Sequence, residues 1–168
     1  MAGAKMSKTC CFTGHRPKYF PWGDDESDER CTELKTALDD AVGRAIADGY
    51  TDFYCGMAQG FDTFAAECVL SRKARGENIR LHAAIPCLTQ AKKWSDADKE
   101  RYAKILDMCD TKTVISPFYS RTCMTNRNIF MLENSEMVIA YWNGDPDGGT
   151  AHTISQARRR GIEVRYVE

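Results

Sequence analysis

Three short segments concentrate the residue types that hold a phosphate or a ribose. The first is Thr13-Gly14-His15-Arg16-Pro17. Its glycine follows a strand-like run directly, where backbone must come close to a neighbour or take a positive φ. His15 and Arg16 come next, and arginine's permanently charged guanidinium fork suits phosphate. The second is Cys55-Gly56-Met57-Ala58-Gln59-Gly60-Phe61-Asp62-Thr63. It passes from strand to helix through two glycines, and a helix start offers free N–H groups and partial positive charge. Asp62 either accepts ribose hydroxyls or caps the helix. The spacing is neither G-x-G-x-x-G nor Walker A. The third is Asn143-Gly144-Asp145-Pro146-Asp147-Gly148-Gly149-Thr150. Gly148 and Gly149 let a ligand approach the backbone, and the Thr150 hydroxyl can cap the helix or bind phosphate. A tight acidic turn accounts for the aspartates equally well.

Other residues are candidates by position. Arg127 and Asn128 open the last helix before a buried strand, within reach of phosphate or ribose, with a helix-face salt bridge as the rival reading. Trp142 ends that strand, where it can stack on a base or pack against the core. His152 lies in the first turn of the final helix and is either a ligand donor or a surface residue. His82 lies inside a strand and reads as structural. Arg158-Arg159-Arg160 ends a helix, where cations favour the macrodipole, so it reads as a solvated face.

The elements that must carry these residues alternate along the whole chain. Strand-like runs are Lys8 to Thr13, Asp52 to Cys55, Ile79 to Ile85 closed by Pro86, Thr113 to Ser116, Met137 to Trp142, and Ile162 to Tyr166. Helical periodicity covers Ser27 to Asp48, Phe61 to Arg75, Ser95 to Met108, residues 123 to 133, and Thr150 to Arg160. Ser95-Asp-Ala-Asp98 resembles a capping box. Strands alternating with helices predict an α/β Rossmann-like three-layer sandwich, a mainly parallel central sheet with helices on both faces. Ligands of such sheets bind outside the carboxyl ends of the strands, where all three loops fall. Residues 1–168 show no linker or repeat and read as one domain.

Composition narrows the function. Lys plus Arg number 23 and Asp plus Glu 24, a balance that argues against a dedicated nucleic-acid or membrane-surface protein. None of the eight cysteines forms a C-x-x-C pair, so no metal site is expected. Cys11, Cys55 and Cys68 occupy apolar positions, which suits reduced thiols in a cytoplasmic core. No apolar stretch approaches the roughly 20 residues of a spanning helix.

The segment GMAQGFDTFAAE resembles the G-x-A-x-G-I-D-x-x-A-H stretch of DNA-processing protein A, and the late strand, double glycine and threonine resemble the P-G-G-x-G-T signature of LOG hydrolases. Together these point to the SLOG superfamily. CCFTGHRP, DFYCGMAQGFDTFAAE, LHAAIPC and IAYWNGDPDGGT, in this order over nearly the whole chain, are most similar to its YpsA-like branch. The resemblance implies a Rossmann-like fold, frequent homo-oligomers and a nucleotide ligand of ADP-ribose or NAD-derived type. It also implies a bacterial setting of cell division or stress, or NAD-derived signalling in antiphage defence.

One departure bears on catalysis. LOG hydrolases place a glutamate three residues after the loop threonine, and here that place holds Thr153. Threonine cannot serve as the carboxylate of N-glycosidic cleavage. Asp62, Glu67 and Glu133 are the other candidates for that role. The reading is therefore a non-catalytic binder or sensor that requires no cofactor. The alternatives are a nucleotide N-glycoside hydrolase or transferase, and a single-stranded DNA binder.

Overall fold

The computed structural model describes residues 7–168. Six strands form one sheet: β1 Lys8–Thr13, β2 Tyr50–Cys55, β3 Arg80–Cys87, β4 Thr111–Ser116, β5 Met137–Ala140 and β6 Glu163–Tyr166. The helices are α1 Glu29–Ala47, α2 Phe61–Ala74, α3 Asp96–Met108, α4 Cys123–Glu133 and α5 Gly149–Arg159. A single 3-10 turn, Pro17–Tyr19, interrupts the first loop. The sheet order is β4-β3-β2-β1-β5-β6, and every neighbouring pair is parallel. The expected mainly parallel sheet is thus wholly parallel.

The chain starts in the middle of the sheet, steps outward to β4, then returns to the other side of β1. Right-handed crossovers place α1, α2 and α3 on one face, and the reversal places α4 and α5 on the other. Strand alternation matches this. Phe12, Phe53, Leu81, Ile85 and Ile139 belong to the core under the first three helices. Cys11, Ala84, Val138 and Ala140 meet Met131, Leu132, Ile154 and Ala157 of α4 and α5. Phe12 stacks on Phe53 at 5.9 Å and meets Phe61 edge-on at 6.4 Å. Each fully buried side chain of this size contributes about 1.5–3 kcal/mol.

Local chemistry sets the helix starts. Asp28 caps α1 by accepting the Arg30 N–H at 2.9 Å. Ser95 caps α3 by accepting the Asp98 N–H at 3.2 Å, as its box predicts. His82 is structural: its ring nitrogens sit 2.7 Å from both Thr111 Oγ1 and Asp52 Oδ1.

Pro86 does not close β3, which continues to Cys87 opposite Ser116. The register explains this. β2 ends where Cys55 meets Ala83, so beyond that point β3 is an edge on one side. A proline is tolerated on such an edge because no neighbour there awaits its N–H. Among the described residues no helix is long and apolar enough to cross a membrane.

Candidate functional site

The reversal of strand order falls between β1 and β5, whose ends meet at Thr13 and Ala140. A cleft of about 360 Å³ opens there, within the range of small-molecule sites. Its walls come from the first loop, the α2 start, one face of α4 and the α5 start.

The first loop is tied to both of the others. His15 is buried, and its Nε2 accepts the Asn143 N–H at 3.0 Å. The ring therefore carries its proton on Nδ1. The His15 carbonyl accepts the Phe61 N–H at 3.1 Å, which fastens the loop to α2. Gly14 and Gly60 are small for the sake of this packing. A β-carbon on Gly14 would lie 2.3 Å from the Phe61 ring, and one on Gly60, at φ +83°, 2.7 Å from the His15 carbonyl oxygen.

Two charged side chains lie buried in the floor. Arg127 is 5% exposed and Asp62 7%. Arg127 donates from Nε to the Asn128 side-chain carbonyl at 2.7 Å, and from one terminal nitrogen to the Gly56 carbonyl. Among the described residues the other terminal nitrogen donates only to Met124 Sδ, at 3.9 Å. Burial pulls its pKa down, opposed by the charge of Asp62. Asp62 accepts the Ala58 N–H at 3.1 Å. Burial pushes its carboxyl pKa up, and Arg127, the Ala58 amide and Arg16 partly counter this. Arg16 and Lys18 are exposed at the rim.

The third loop builds itself from its own side chains. Asn143 Oδ1 accepts the Asp145 N–H at 3.0 Å, and Asp145 Oδ1 the Asp147 N–H at 2.9 Å. It delivers Gly148 at φ +98° as the residue before α5, with no side-chain cap. A β-carbon on Gly148 or Gly149 would meet nothing within 4 Å among the described residues. The first helical bond runs from the His152 N–H to the Gly148 carbonyl at 3.1 Å. The amides of Gly149, Thr150 and Ala151 precede it and face an uncapped end.

The cleft thus gathers Gly14, His15, Arg16, Ala58, Asp62, Arg127, Asn128, Gly148, Gly149 and Thr150 of the expected residues. Five do not line it. Gly56 lies behind Arg127, where a β-carbon would come within 2.5 Å of the guanidinium. Met57, Gln59 and Gly60 face a different cavity. Trp142 packs toward β6, its ring 6.4 Å from that of Tyr166, and its Nε1 donates to the Asp145 carbonyl at 2.8 Å. Lys18, Tyr19, Met124 and Met131 are added. Met124, Arg127, Asn128 and Met131 keep i, i+3, i+4, i+7 spacing, the signature of one helix face. Thr153 is 1% exposed and its hydroxyl donates to the Gly149 carbonyl at 2.9 Å. Glu67 instead pairs with Arg101, away from the cleft.

An open all-parallel α/β sheet with a cleft at the reversal of strand order is the doubly wound, Rossmann-like class of fold. The chain belongs to the YspA SLOG family, whose model matches residues 10–167. A UPF0398 protein of Halalkalibacterium halodurans is 24% identical over 137 residues, covering 80% of this chain and 72% of that protein. A UPF0398 protein of Bacillus licheniformis is 22% identical over 155 residues, covering 90% and 84%. A solved structure of DNA processing protein A from Helicobacter pylori, described for its single-stranded DNA binding mode, superposes with a TM-score of 0.62 at 15% identity. The match covers 95% of this chain and 64% of that one, so this chain spans less than two thirds of its length. At that identity the likeness carries the fold.

Proposed function

We propose that the β1–β5 cleft binds an anionic, nucleotide-derived small molecule of the ADP-ribose or NAD-derived type, and that the protein senses or sequesters it unchanged. One observation carries this reading: the uncapped α5 N-terminus opens onto the cleft through two unobstructed glycines. Helix-end amides and a glycine approach favour a phosphate, and the buried Arg127 guanidinium adds positive charge beneath. Asp62 is the acceptor for a sugar hydroxyl. The even overall charge favours a small ligand over nucleic acid. The eight free cysteines agree with a reducing, cytoplasmic setting. Assembly as a homo-oligomer is part of the same proposal, read out by light scattering on the eluting protein.

N-glycoside hydrolysis is the second reading, and Asp62 is the observation in its favour. It is a buried carboxylate in the cleft whose pKa is raised, as a general acid requires. Against it, the position of the hydrolase glutamate holds Thr153, committed to the helix backbone.

The test is thermal shift with AMP, ADP-ribose, cyclic ADP-ribose, NAD and short single-stranded DNA, with chromatography of each ligand afterwards. A ligand at about 100 times its Kd stabilises by roughly 2.7 kcal/mol, about 5–11 °C here. A shift with ADP-ribose and no product is expected. Released base would make the protein a hydrolase, a shift with DNA alone would make it a nucleic-acid binder, and no shift at all would end the nucleotide reading.

A further inference from the structure

Behind the first two loops lies a second cavity, of about 330 Å³. It is bounded by the first loop, the 57–60 turn and the N-terminal half of α3. The bond from the Phe61 N–H to the His15 carbonyl and the close seat of Gly60 against that carbonyl separate it from the cleft. The two cavities share no lining residue.

Its floor is aromatic. Phe20 stacks on Phe64 at 6.0 Å and 15°, and Trp94 meets Tyr102 edge-on at 5.2 Å. Phe64 already holds Lys35 Nζ at 4.6 Å over its ring. Phe20 is buried and also stacked on Trp22 at 4.8 Å, whereas the half-buried rings of Trp94 and Tyr102 hold no cation among the described residues. Met57 lines the same cavity at φ +60°, a left-handed conformation that costs a non-glycine residue of order 1–3 kcal/mol. A wall is therefore held in place by its surroundings.

The charges at the rim are unbalanced. Arg101 is the cation among the lining residues, and it is spent: Glu26 takes it at 2.6 and 3.0 Å, and Glu67 at 3.1 Å. Among the described residues the Asp98 carboxylate accepts only from neutral donors, the Ser95 hydroxyl and the Gln59 amide, each at 3.0 Å, while its own N–H donates to Ser95 Oγ. Among the described residues no side chain donates to Asp24, which lines the same rim. Two carboxylates without a countercharge thus overlook aromatic rings without a cation. A bare metal ion would leave the rings unused, a neutral ring would leave the carboxylates unanswered, and an anion would be repelled.

We propose that this second cavity binds an organic cation carrying a flat aromatic ring, with the ring against Trp94 and Tyr102 and the ammonium toward Asp24 and Asp98. This goes beyond the nucleotide reading and does not depend on it.

Tryptamine is a suitable test compound. Indole-3-acetate presents the same ring with the opposite charge, and putrescine presents the charge without the ring. Amide-resolved NMR titration of the full chain reads both affinity and place. Tryptamine is expected to saturate, with the largest shifts at Gln59, Gly60 and the start of α3. Both controls are expected to bind roughly tenfold more weakly or worse. Asp24→Asn, on an exposed loop, is expected to weaken tryptamine roughly threefold, and Asp98→Asn roughly tenfold, with the folded spectrum retained. No saturation by about 20 mM, equal binding of either control, shifts centred on Arg127 and Thr150, or indifference to Asp24→Asn would each overturn the proposal.

Discussion

The α2 and α5 starts look alike in sequence, each a strand passing through glycines into a helix, yet the molecule uses them in opposite ways. At α2 the protein meets its own needs. Phe61 gives its N–H to His15, Ala58 gives its N–H to Asp62, and the Gly56 carbonyl receives Arg127. The glycines there are small because Arg127 and the His15 carbonyl press against them. Neither helix start has a side-chain cap, but at α5, among the described residues, nothing lies within 4 Å of a β-carbon placed on either glycine. A glycine at a strand-to-helix turn can therefore admit the protein itself or something else, and only its neighbours in space decide which.

Paired substitutions should break that contrast. Gly60→Ala is expected to have the largest effect. Its positive φ and the nearby carbonyl oxygen combine strain with overpacking, a cost of about 3 kcal/mol. That corresponds to a melting temperature lower by roughly 6–12 °C, measurable by thermal denaturation. A variant as stable as the parent would mean that α2 is no more tightly closed than α5. Gly149→Val should do the reverse. Stability should stay within about 1 kcal/mol, while ADP-ribose affinity, measured by calorimetry, drops roughly tenfold or more. Normal binding by a folded Gly149→Val protein would remove the α5 start from the site.

Two pH profiles sharpen the comparison further. Asp62 has its folded pKa raised above 3.8 by burial. Its contribution to stability is therefore complete below 3.8 and is lost as pH rises through the folded value. Asn at this position keeps an acceptor for Ala58 and never ionises. Asp62→Asn should gain on the parent as pH rises from below 3.8 through the raised folded pKa, read by urea denaturation at each pH. A constant difference would show that the cleft floor is well solvated. The smallest effect concerns His15, whose folded pKa burial lowers below 6.5. Its contribution is present above 6.5 and is lost as pH falls through the folded value, because protonated Nε2 cannot accept from Asn143. His15→Phe should lack this acid-side loss, and an unchanged profile would place the origin of the loss elsewhere.

Much of this was legible in the sequence where the signal is local. The 123–133 helix, the Ser95 cap and the strand-helix rhythm follow from spacing and capping chemistry. What was not legible depends on register between distant segments. Pro86 reads as a strand end until β2 is seen to stop short of it. Trp142 reads as a pocket aromatic until β6 is seen beside β5, with Tyr166 there to pack against it. Met57, Gln59 and Gly60 sit in one motif with Ala58, yet the turn sends Ala58 to one cavity and the others to the second. Lys18 and Tyr19 reach the cleft through a 3-10 turn that no motif announces. Met124 and Met131 did leave a trace, because they flank Arg127 at helical spacing.

The order in which the ribosome makes this chain follows from the strand order. β1 is made well before its partner β5, which begins only at Met137, the residue that pairs with Cys10. At about 5–20 residues per second that leaves β1 with one bare flank for roughly 6–25 s. During that interval Cys10, Cys11 and Phe12 belong to an open edge, the kind that invites pairing with a neighbouring nascent chain. A product truncated before Met137 retains β1 to β4 and lacks the β5 and α5 walls of the cleft. The walls of that cleft are therefore complete only once β5 and the start of α5 have been made.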